Sequence, residues 1–242
     1  MRIADGVHRI GNGTINAYLV EDGSDVTVID GGVPGLWGEL VRTLHELGHE
    51  PEDVRSILLT HGHDDHIGYA ERLRRLSKAE ARVHELDAPL ARGEVPNPAS
   101  ARVPYRLGPI LSFFIYAARN RYGLGPHLGE VVSFGDGATL DVPGSPRVIH
   151  LPGHTPGSAA ILVPGRDALF LGDALVTRSV ATGQLGPQVG PFNADRALAL
   201  KSLTRLDAVE AGLLLPGHGE PWTGGVAAAL AVAREAEARR RS

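Results

Sequence analysis

The chain contains no cysteine among its 242 residues. This absence excludes disulfide bonds, thiolate zinc sites and cysteine nucleophiles. A transition metal in this protein must therefore be held by nitrogen and oxygen atoms. The sequence has 11 histidines, so it can supply nitrogen ligands in number.

The sequence also lacks a run of about 18 apolar residues, the minimum for a membrane-spanning helix. Its first residues contain no apolar segment of the kind found in signal peptides. We therefore expect no membrane span and a cytoplasmic location. An excess of positive charge is missing too, since the formal net charge is -4. This balance argues against nucleic-acid binding, and the expected partner is a small-molecule substrate.

Short β-branched segments bounded by Gly, Asp and Asn alternate with helical segments in both halves of the chain. Strands followed by helices, twice, predict an α/β (α+β) fold in which two sheets pack together with helices outside. We expect one domain over residues 1–242. The predicted details include a polar loop at 61–68 and a hairpin within 130–142. The predicted strands are 14–20, 25–29, 54–60, 82–84, 148–151, 159–163, 168–171 and 213–215.

Residues 93–129 differ from the rest because many Pro and Gly residues surround one apolar block at 110–118. This composition predicts a helical insert between the two sheet-rich halves. The insert is expected either to be a lid over the site or to pack on the core or on another subunit, which is compatible with a homodimer. Its aromatic and aliphatic side chains would offer an apolar wall to a substrate. Its arginines could meet an anionic group; they are Arg102, Arg106, Arg119 and Arg121.

Residues 60–66 read Thr-His-Gly-His-Asp-Asp-His, which places three imidazoles and two carboxylates close together. In a loop leaving a buried strand, His61, His63, Asp65 and His66 can point at a common centre. Imidazole and carboxylate ligands suit Zn, Mn or Fe(II). The alternative is an exposed turn that is rich in histidine by chance.

Three further candidates follow apolar, strand-like runs and have Gly neighbours: His154, Asp173 and His218. Loops at strand ends are where functional sites are usually built, because a rigid sheet positions them. One histidine after a strand is more often structural. Three such placements, together with the 60–66 segment, favour a metal site.

The whole pattern resembles the metallo-β-lactamase superfamily, in particular its hydrolase branch with glyoxalase-II-like ligands. The resemblance extends from Val28-Ile29-Asp30-Gly31 to Pro216-Gly217-His218-Gly219 and implies a four-layer αββα sandwich. Asp30 itself either supports the metal loop or merely ends a strand. The resemblance further implies a binuclear site for two divalent ions, with zinc favoured and Mn or Fe as alternatives. One ion would be held by His61, His63 and His154, the other by Asp65, His66 and His218, and Asp173 would bridge them.

The same resemblance implies a hydrolase that uses a metal-bridging hydroxide on an ester, thioester or lactone. Asp173 would then be catalytic through both ions. Asp65 could help to move a proton, although a ligand carboxylate stays ionised and this role is secondary. Two alternatives stay open. One is a mononuclear iron persulfide dioxygenase of the same superfamily, and the other is a non-catalytic metal-binding protein.

Three departures from known branches narrow the expected substrate. A dedicated β-lactamase is disfavoured because Asp173 is present and cysteine is absent. Glutathione thioesters are disfavoured because only 24 residues follow His218 in the 242-residue sequence. The tyrosine that lactonases of acyl-homoserine lactones carry soon after the bridging aspartate is missing, since Ala174, Leu175, Val176 and Thr177 follow Asp173.

Overall fold

The first sheet of the computed structural model, which describes residues 1–100 and 103–241, has seven strands in sequential order. They are β1 (Arg2–Ala4), β2 (Val7–Gly11), β3 (Asn16–Asp22), β4 (Asp25–Ile29), β5 (Val54–Leu58), β6 (Glu80–His84) and β7 (Val132–Phe134). β1 to β4 pair antiparallel, and β4 to β7 pair parallel. Gly23, with φ of 63°, allows the tight turn between β3 and β4.

The second sheet has four strands in the order β13-β10-β9-β8. They are β8 (Arg147–His150), β9 (Ala159–Val163), β10 (Ala168–Gly172) and β13 (Leu213–Pro216). β10 and β13 run parallel, whereas the other pairs are antiparallel. A separate hairpin lies between β10 and β13 in the sequence and is formed by β11 (Val176–Arg178) and β12 (Leu185–Gln188).

The α-helices of the described residues are α1 (Trp37–Glu46), α2 (Asp64–Ile67), α3 (Ala70–Ser77), α4 (Ala88–Ala91), α5 (Leu107–Arg119), α6 (Arg196–Ser202) and α7 (Gly225–Arg241). α1 and α3 cover the outer face of the first sheet, and α6 and α7 cover that of the second. Leu40 and Leu44, one turn apart on α1, are fully buried, which is the pattern of an amphipathic helix on a sheet. Among the described residues, no helix is both long and apolar enough to cross a membrane.

Three apolar clusters show that the molecule has four layers. The cluster between the sheets joins Tyr18 of β3 to Phe170 of β10, whose rings meet edge to face at 5.3 Å. Ala17 and Leu19 point the opposite way, as the period of a strand requires, and join the cluster under α1 and α3. A third cluster fills the space between the second sheet and helices α6 and α7. The predicted αββα sandwich is therefore confirmed.

The hairpin predicted within 130–142 is wrong. β7 pairs in parallel with β6 of the first sheet, whereas Thr139 bridges to Arg147 at the edge of the second sheet. The Gly135–Gly137 turn thus carries the chain from one sheet to the other. Asp136 secures this crossing because its Oδ1 accepts a hydrogen bond of 2.9 Å from the backbone N–H of His150.

The predicted polar loop at 61–68 is also only partly right, because Asp64–Ile67 forms the short helix α2. Asp64 and Asp65 occupy its first turn, where carboxylates are favoured by the orphan N–H groups of a helix. The helix places Asp65 and His66 on the same side as the two preceding histidines, which a fully extended loop would not do.

The insert predicted at 93–129 contains α5. The insert begins just after α4, which ends at Ala91. Phe113 and Ala117 are the buried residues of α5, whereas Leu107 is 77% exposed and Phe114 59% exposed. One face of α5 therefore packs on the molecule and the other is apolar and open to solvent. Of the four insert arginines, Arg102 lies outside the described residues.

Candidate metal centre

The seven candidate ligands all lie in segments that leave the carboxyl ends of strands at one edge of the sandwich. β5 leads to the first four, and β8, β10 and β13 each lead to one more. The structure brings together every one of them, and three overlapping groups have their ligand atoms within 4.8 Å of one another. The groups are His61, His63 and His154; His61, His66 and Asp173; and Asp65, His66 and His218.

The first group presents three ring nitrogens to one point. His63 Nδ1 and His154 Nε2 are 2.9 Å apart, and the ring of His61 stands 4.8 Å from each of the other two. Burial lowers the pKa of His154 to about 3 and also lowers the pKa of His61 and His63. These imidazoles are therefore neutral at pH 7, which is the form that binds a metal ion.

The second group joins Asp65, His66 and His218, with Asp173 between the two groups. Asp173 Oδ2 lies 3.1 Å from His218 Nε2 and 3.5 Å from His154 Nε2, and Asp173 Oδ1 lies 3.4 Å from His66 Nε2. Burial opposes ionisation of Asp173, but His218 and His66 outweigh burial and hold its pKa well below the usual range. The carboxylate that touches both groups is thus ionised.

The donor atoms of this cluster fit a cation. His61 Nε2, His66 Nε2 and Asp173 Oδ1 are buried and have no hydrogen-bond partner among the described residues. Unsatisfied buried nitrogen and oxygen atoms are costly, and divalent ions bound in this cluster would satisfy all three. Gly217 makes the close packing possible, because a Cβ there would lie 2.4 Å from Asp173 Oδ1 and 2.6 Å from the His66 ring.

Asp30 supports the cluster from behind, which decides between the two roles left open for it. Its Oδ2 faces His66 Nδ1 at 2.8 Å, and its Oδ1 accepts a hydrogen bond of 2.8 Å from the Thr60 N–H. The Thr60 hydroxyl also donates to Asp30. With its Nδ1 proton given to Asp30, His66 keeps Nε2 free to bind a metal. Asp30 adopts φ of 63°, a left-handed conformation that few residue types besides Gly, Asn and Asp adopt.

Other ring nitrogens are fixed in the same way. His218 Nδ1 lies 2.5 Å from the Thr14 carbonyl oxygen, and His61 Nδ1 lies 3.1 Å from the Thr60 hydroxyl. A ring that donates from Nδ1 presents Nε2 as the lone-pair atom. The backbone of the β2–β3 loop therefore orients a histidine that follows it by about two hundred residues in the chain.

Asp87 is a supporting residue that the sequence analysis missed. It is fully buried and joins the two loops that carry histidines. Its Oδ2 accepts from the Gly62 N–H at 2.9 Å and from the Thr155 hydroxyl at 2.6 Å, and its Oδ1 accepts from the Gly157 N–H at 2.6 Å. A local signal for this role is absent, because Asp87 ends a short 3-10 turn at Glu85–Asp87.

We expect Asp87→Ala to lower the unfolding free energy by about 3 kcal/mol, because it leaves the buried N–H groups of Gly62 and Gly157 unpaired and removes one acceptor of the Thr155 hydroxyl. The metal affinity should fall about 10- to 100-fold, as for other residues that orient ligands. Urea unfolding and metal titration measure the two effects. Glu85→Ala is the matched control, since Glu85 is exposed in the same turn. Equal metal affinity in the two variants would contradict this role for Asp87.

The inner face of α5 roofs the cluster. The Phe113 ring lies 6.2 Å from the His218 ring and 6.3 Å from the Tyr122 ring. Burial and the neighbouring Asp65 raise the pKa of Tyr122 well above its usual value, so its hydroxyl stays protonated. The roof is therefore largely apolar, with one hydroxyl group. Arg119 and Arg121, two of the insert arginines, are exposed.

Known proteins are similar to this chain over most of its length. A sequence profile of the metallo-beta-lactamase superfamily matches residues 10–218. A Bacillus subtilis (strain 168) protein named "Probable metallo-hydrolase YflN" is 29% identical over 232 residues, which cover 91% of this chain and 86% of that protein.

Two solved structures are also similar to this chain. The metallo-beta-lactamase family protein TTHA1429 from Thermus thermophilus is 26% identical with a TM-score of 0.69, and the match covers 98% of this chain and 80% of that one. TTHA1623, described in a di-iron-bound form, is 29% identical with a TM-score of 0.61, and the match covers 89% and 93% of the two chains.

Proposed function

Because the chain belongs to the metallo-beta-lactamase superfamily and is one of its hydrolases, we propose that it cleaves an ester, thioester or lactone with two divalent ions. The observation that carries this proposal is the position of Asp173. Its two carboxylate oxygens lie within 3.5 Å of ring nitrogens from both ligand groups. A single carboxylate placed in this way is suited to bridge two cations.

The residues that would hold the ions divide into two sets. His61, His63 and His154 would hold the first ion, and Asp65, His66 and His218 the second, with Asp173 shared by both. A donor set of nitrogen and oxygen favours zinc and also accepts manganese or iron. The similar protein TTHA1623 was solved in a di-iron-bound form, which supports two ions and makes iron a real alternative.

When bound, the ions supply a water of lowered pKa and polarise the carbonyl group of the substrate. The protein's own residues fix the geometry for this chemistry. Asp30, Thr60 and the Thr14 carbonyl orient the imidazoles, so little reorganisation is needed during the reaction. Asp65 lies 3.5 Å from His218 through its Oδ2 and is placed to help transfer a proton, secondary to its role as a ligand.

The roof favours a substrate with an apolar portion. Phe113 lies over the cluster beside Tyr122, and its ring packs edge to face against that of His218. In this proposal α5 is a lid that excludes water from the reacting carbonyl. The lid and the metal centre belong to one domain over residues 1–242. The partner is a small molecule in the cytoplasm.

The test measures metal content and hydrolysis together. Protein purified without added metal is analysed for zinc, iron and manganese, and then assayed on a thioester, a lactone, a phosphodiester and a cephalosporin. We expect about two ions per chain and turnover of the thioester or lactone. Removing the metal with a chelator should abolish turnover, and adding it back should restore it. One iron per chain with oxygen uptake on a persulfide would instead identify a dioxygenase.

A further inference from the structure

A cavity of about 570 Å³ lies beside the metal centre and contains none of the seven candidate ligands in its lining. Its walls come from the segment before α5, the β11–β12 hairpin, residues 189–193, the start of α6 and the end of α7. Pockets for small ligands typically measure about 300 to 1,000 Å³, so this cavity can take an organic molecule or a large part of one.

One wall of the cavity packs against the backbone of two candidate ligands. Gly190 packs so closely that a Cβ there would lie 2.3 Å from the Asp173 carbonyl oxygen. A few residues later, the Ala194 N–H donates to the His154 carbonyl oxygen at 3.1 Å. The 190–194 segment thus borders the cavity on one side and the ligand loops on the other. Phe192, at φ of 60°, is held in a strained conformation in this wall.

The lining is strongly cationic. Among the described residues, its charged members are one glutamate, Glu237, and four arginines, namely Arg106, Arg196, Arg239 and Arg240. Arg196 is neutralised by Glu237 at 2.5 Å. Within residues 1–100 and 103–241, Arg106 and Arg240 have no ion-pair partner. Burial and the proximity of Arg196 lower the pKa of Arg240, and the nearby Glu237 carboxylate offsets this lowering only in part.

The polar part of the lining is also incompletely satisfied. Among the described residues, Arg196 Nε is buried and has no hydrogen-bond partner. Arg106 is fixed near this region by its backbone, whose N–H donates to the Ala181 carbonyl oxygen at 2.9 Å. Donors and guanidinium groups arranged around a cavity suit an oxyanion.

We propose that this cavity binds an oxyanion group, a carboxylate or a phosphate, on the part of the substrate that lies away from the reacting carbonyl. The inference rests on the proposed hydrolase function and narrows it to anionic esters, thioesters or lactones. The apolar roof then contacts the portion near the reacting bond, while Arg106 and Arg240 bind the charged end.

The first arm of the test compares thioesters that differ only in charge. One pair is a glutaryl thioester and its amide-ended counterpart, and a second pair carries the carboxylate or amide on the thiol. For wild type we expect a higher kcat/KM for the carboxylate-ended member of at least one pair. In the double variant Arg106→Ala/Arg240→Ala, that preference should fall about tenfold, as expected when a charge-assisted contact is lost. The effect should lie in KM and weaken with added salt.

Arg234→Ala is the control, because Arg234 is on the same helix, pairs with Asp207 and does not line the cavity. It should retain the carboxylate preference. If the thioesters are hydrolysed without any preference for the carboxylate, and the double variant behaves as wild type, the cavity proposal is wrong while the hydrolase function stands.

The second arm measures binding without turnover. Calorimetry with metal-loaded protein tests glutarate and inorganic phosphate, and either one should bind to wild type and to Arg234→Ala but about tenfold more weakly to the double variant. The probe that binds identifies the oxyanion as carboxylate or phosphate. Binding that persists unchanged in the double variant belongs to the metal ions and overturns the proposal. If no thioester is hydrolysed but this loss of binding is seen, the cavity assignment stands and the proposed hydrolysis fails.

Discussion

Asp173→Ala is expected to reduce hydrolytic activity by about a thousandfold or more, equivalent to about 4 kcal/mol of transition-state stabilisation. Asp173 contacts nitrogens of His66, His154 and His218 within 3.5 Å, so the variant removes the shared ligand from both groups. It also leaves several imidazoles without their counter-charge. Metal analysis of the variant should show fewer than two ions per chain, and the remaining ion should dissociate faster.

The control for this variant is Asp141→Ala, because Asp141 is an exposed aspartate away from the ligand loops. It should keep full activity and metal content. Circular dichroism and thermal unfolding of Asp173→Ala are needed beside the assay, since loss of the fold would also remove activity. A folded Asp173→Ala protein with two ions and near wild-type turnover would refute the shared-ligand role and with it the proposed function.

Much of the fold follows from local patterns in the sequence. The strand at Asp25–Ile29 appears where β-branched residues bounded by turn residues predict it. The helix over Trp37–Glu46 appears where Leu36, Leu40, Val41, Leu44 and Leu47 recur at helical spacing. The segment at 130–142 was misjudged because a Gly-Asp-Gly turn indicates a change of direction but not the partner of each flanking strand. β7 pairs with β6, whereas Thr139 pairs with Arg147. Turn residues do not determine such long-range pairing.

The strands before residue 14 were missed for a related reason. β1 is only three residues long. β2 (Val7–Gly11) is buried at every position, so its sequence lacks the alternation of apolar and polar residues that indicates a half-buried strand. β2 carries His8 and Arg9, which are buried through pairs with Glu21 and Glu220. Polar side chains that are paired at long range in this way look like surface residues in a sequence.

The candidate ligands were easier to identify than their supports. The His-x-His-x-Asp-His segment is compact, and His154, Asp173 and His218 each follow an apolar run beside glycine, so residue type and local context suffice. Asp87 acts on backbone N–H groups of Gly62 and Gly157, and nothing in its own neighbourhood indicates that. Support by a distant backbone becomes visible only when the loops are brought together in the fold.

Substitution of Asp30 is the second change with a large expected effect. Two variants of this residue distinguish its contribution to stability from its contribution to metal binding. Asp30→Ala should lower the unfolding free energy by about 3 to 5 kcal/mol, because it leaves buried partners of a charged group unpaired. Alanine at φ of 63° adds strain, since only Gly, Asn and Asp visit this region readily. Urea unfolding with metal-free protein measures the loss.

Asp30→Asn is the sharper variant, because asparagine tolerates the backbone conformation and keeps the shape of the side chain. With its oxygen still accepting from the Thr60 N–H, its amide N–H₂ faces His66 Nδ1, where Oδ2 now lies at 2.8 Å. His66 must then accept at Nδ1 and carry its proton on Nε2, which prevents metal binding by that atom. We expect about one ion per chain and an activity loss of about 100-fold with a modest loss of stability.

Asp25→Asn is the control, because Asp25 lies at the opposite end of β4, and this variant should bind two ions. An Asp30→Asn protein that also binds two ions would show that Asp30 does not set the proton position on His66.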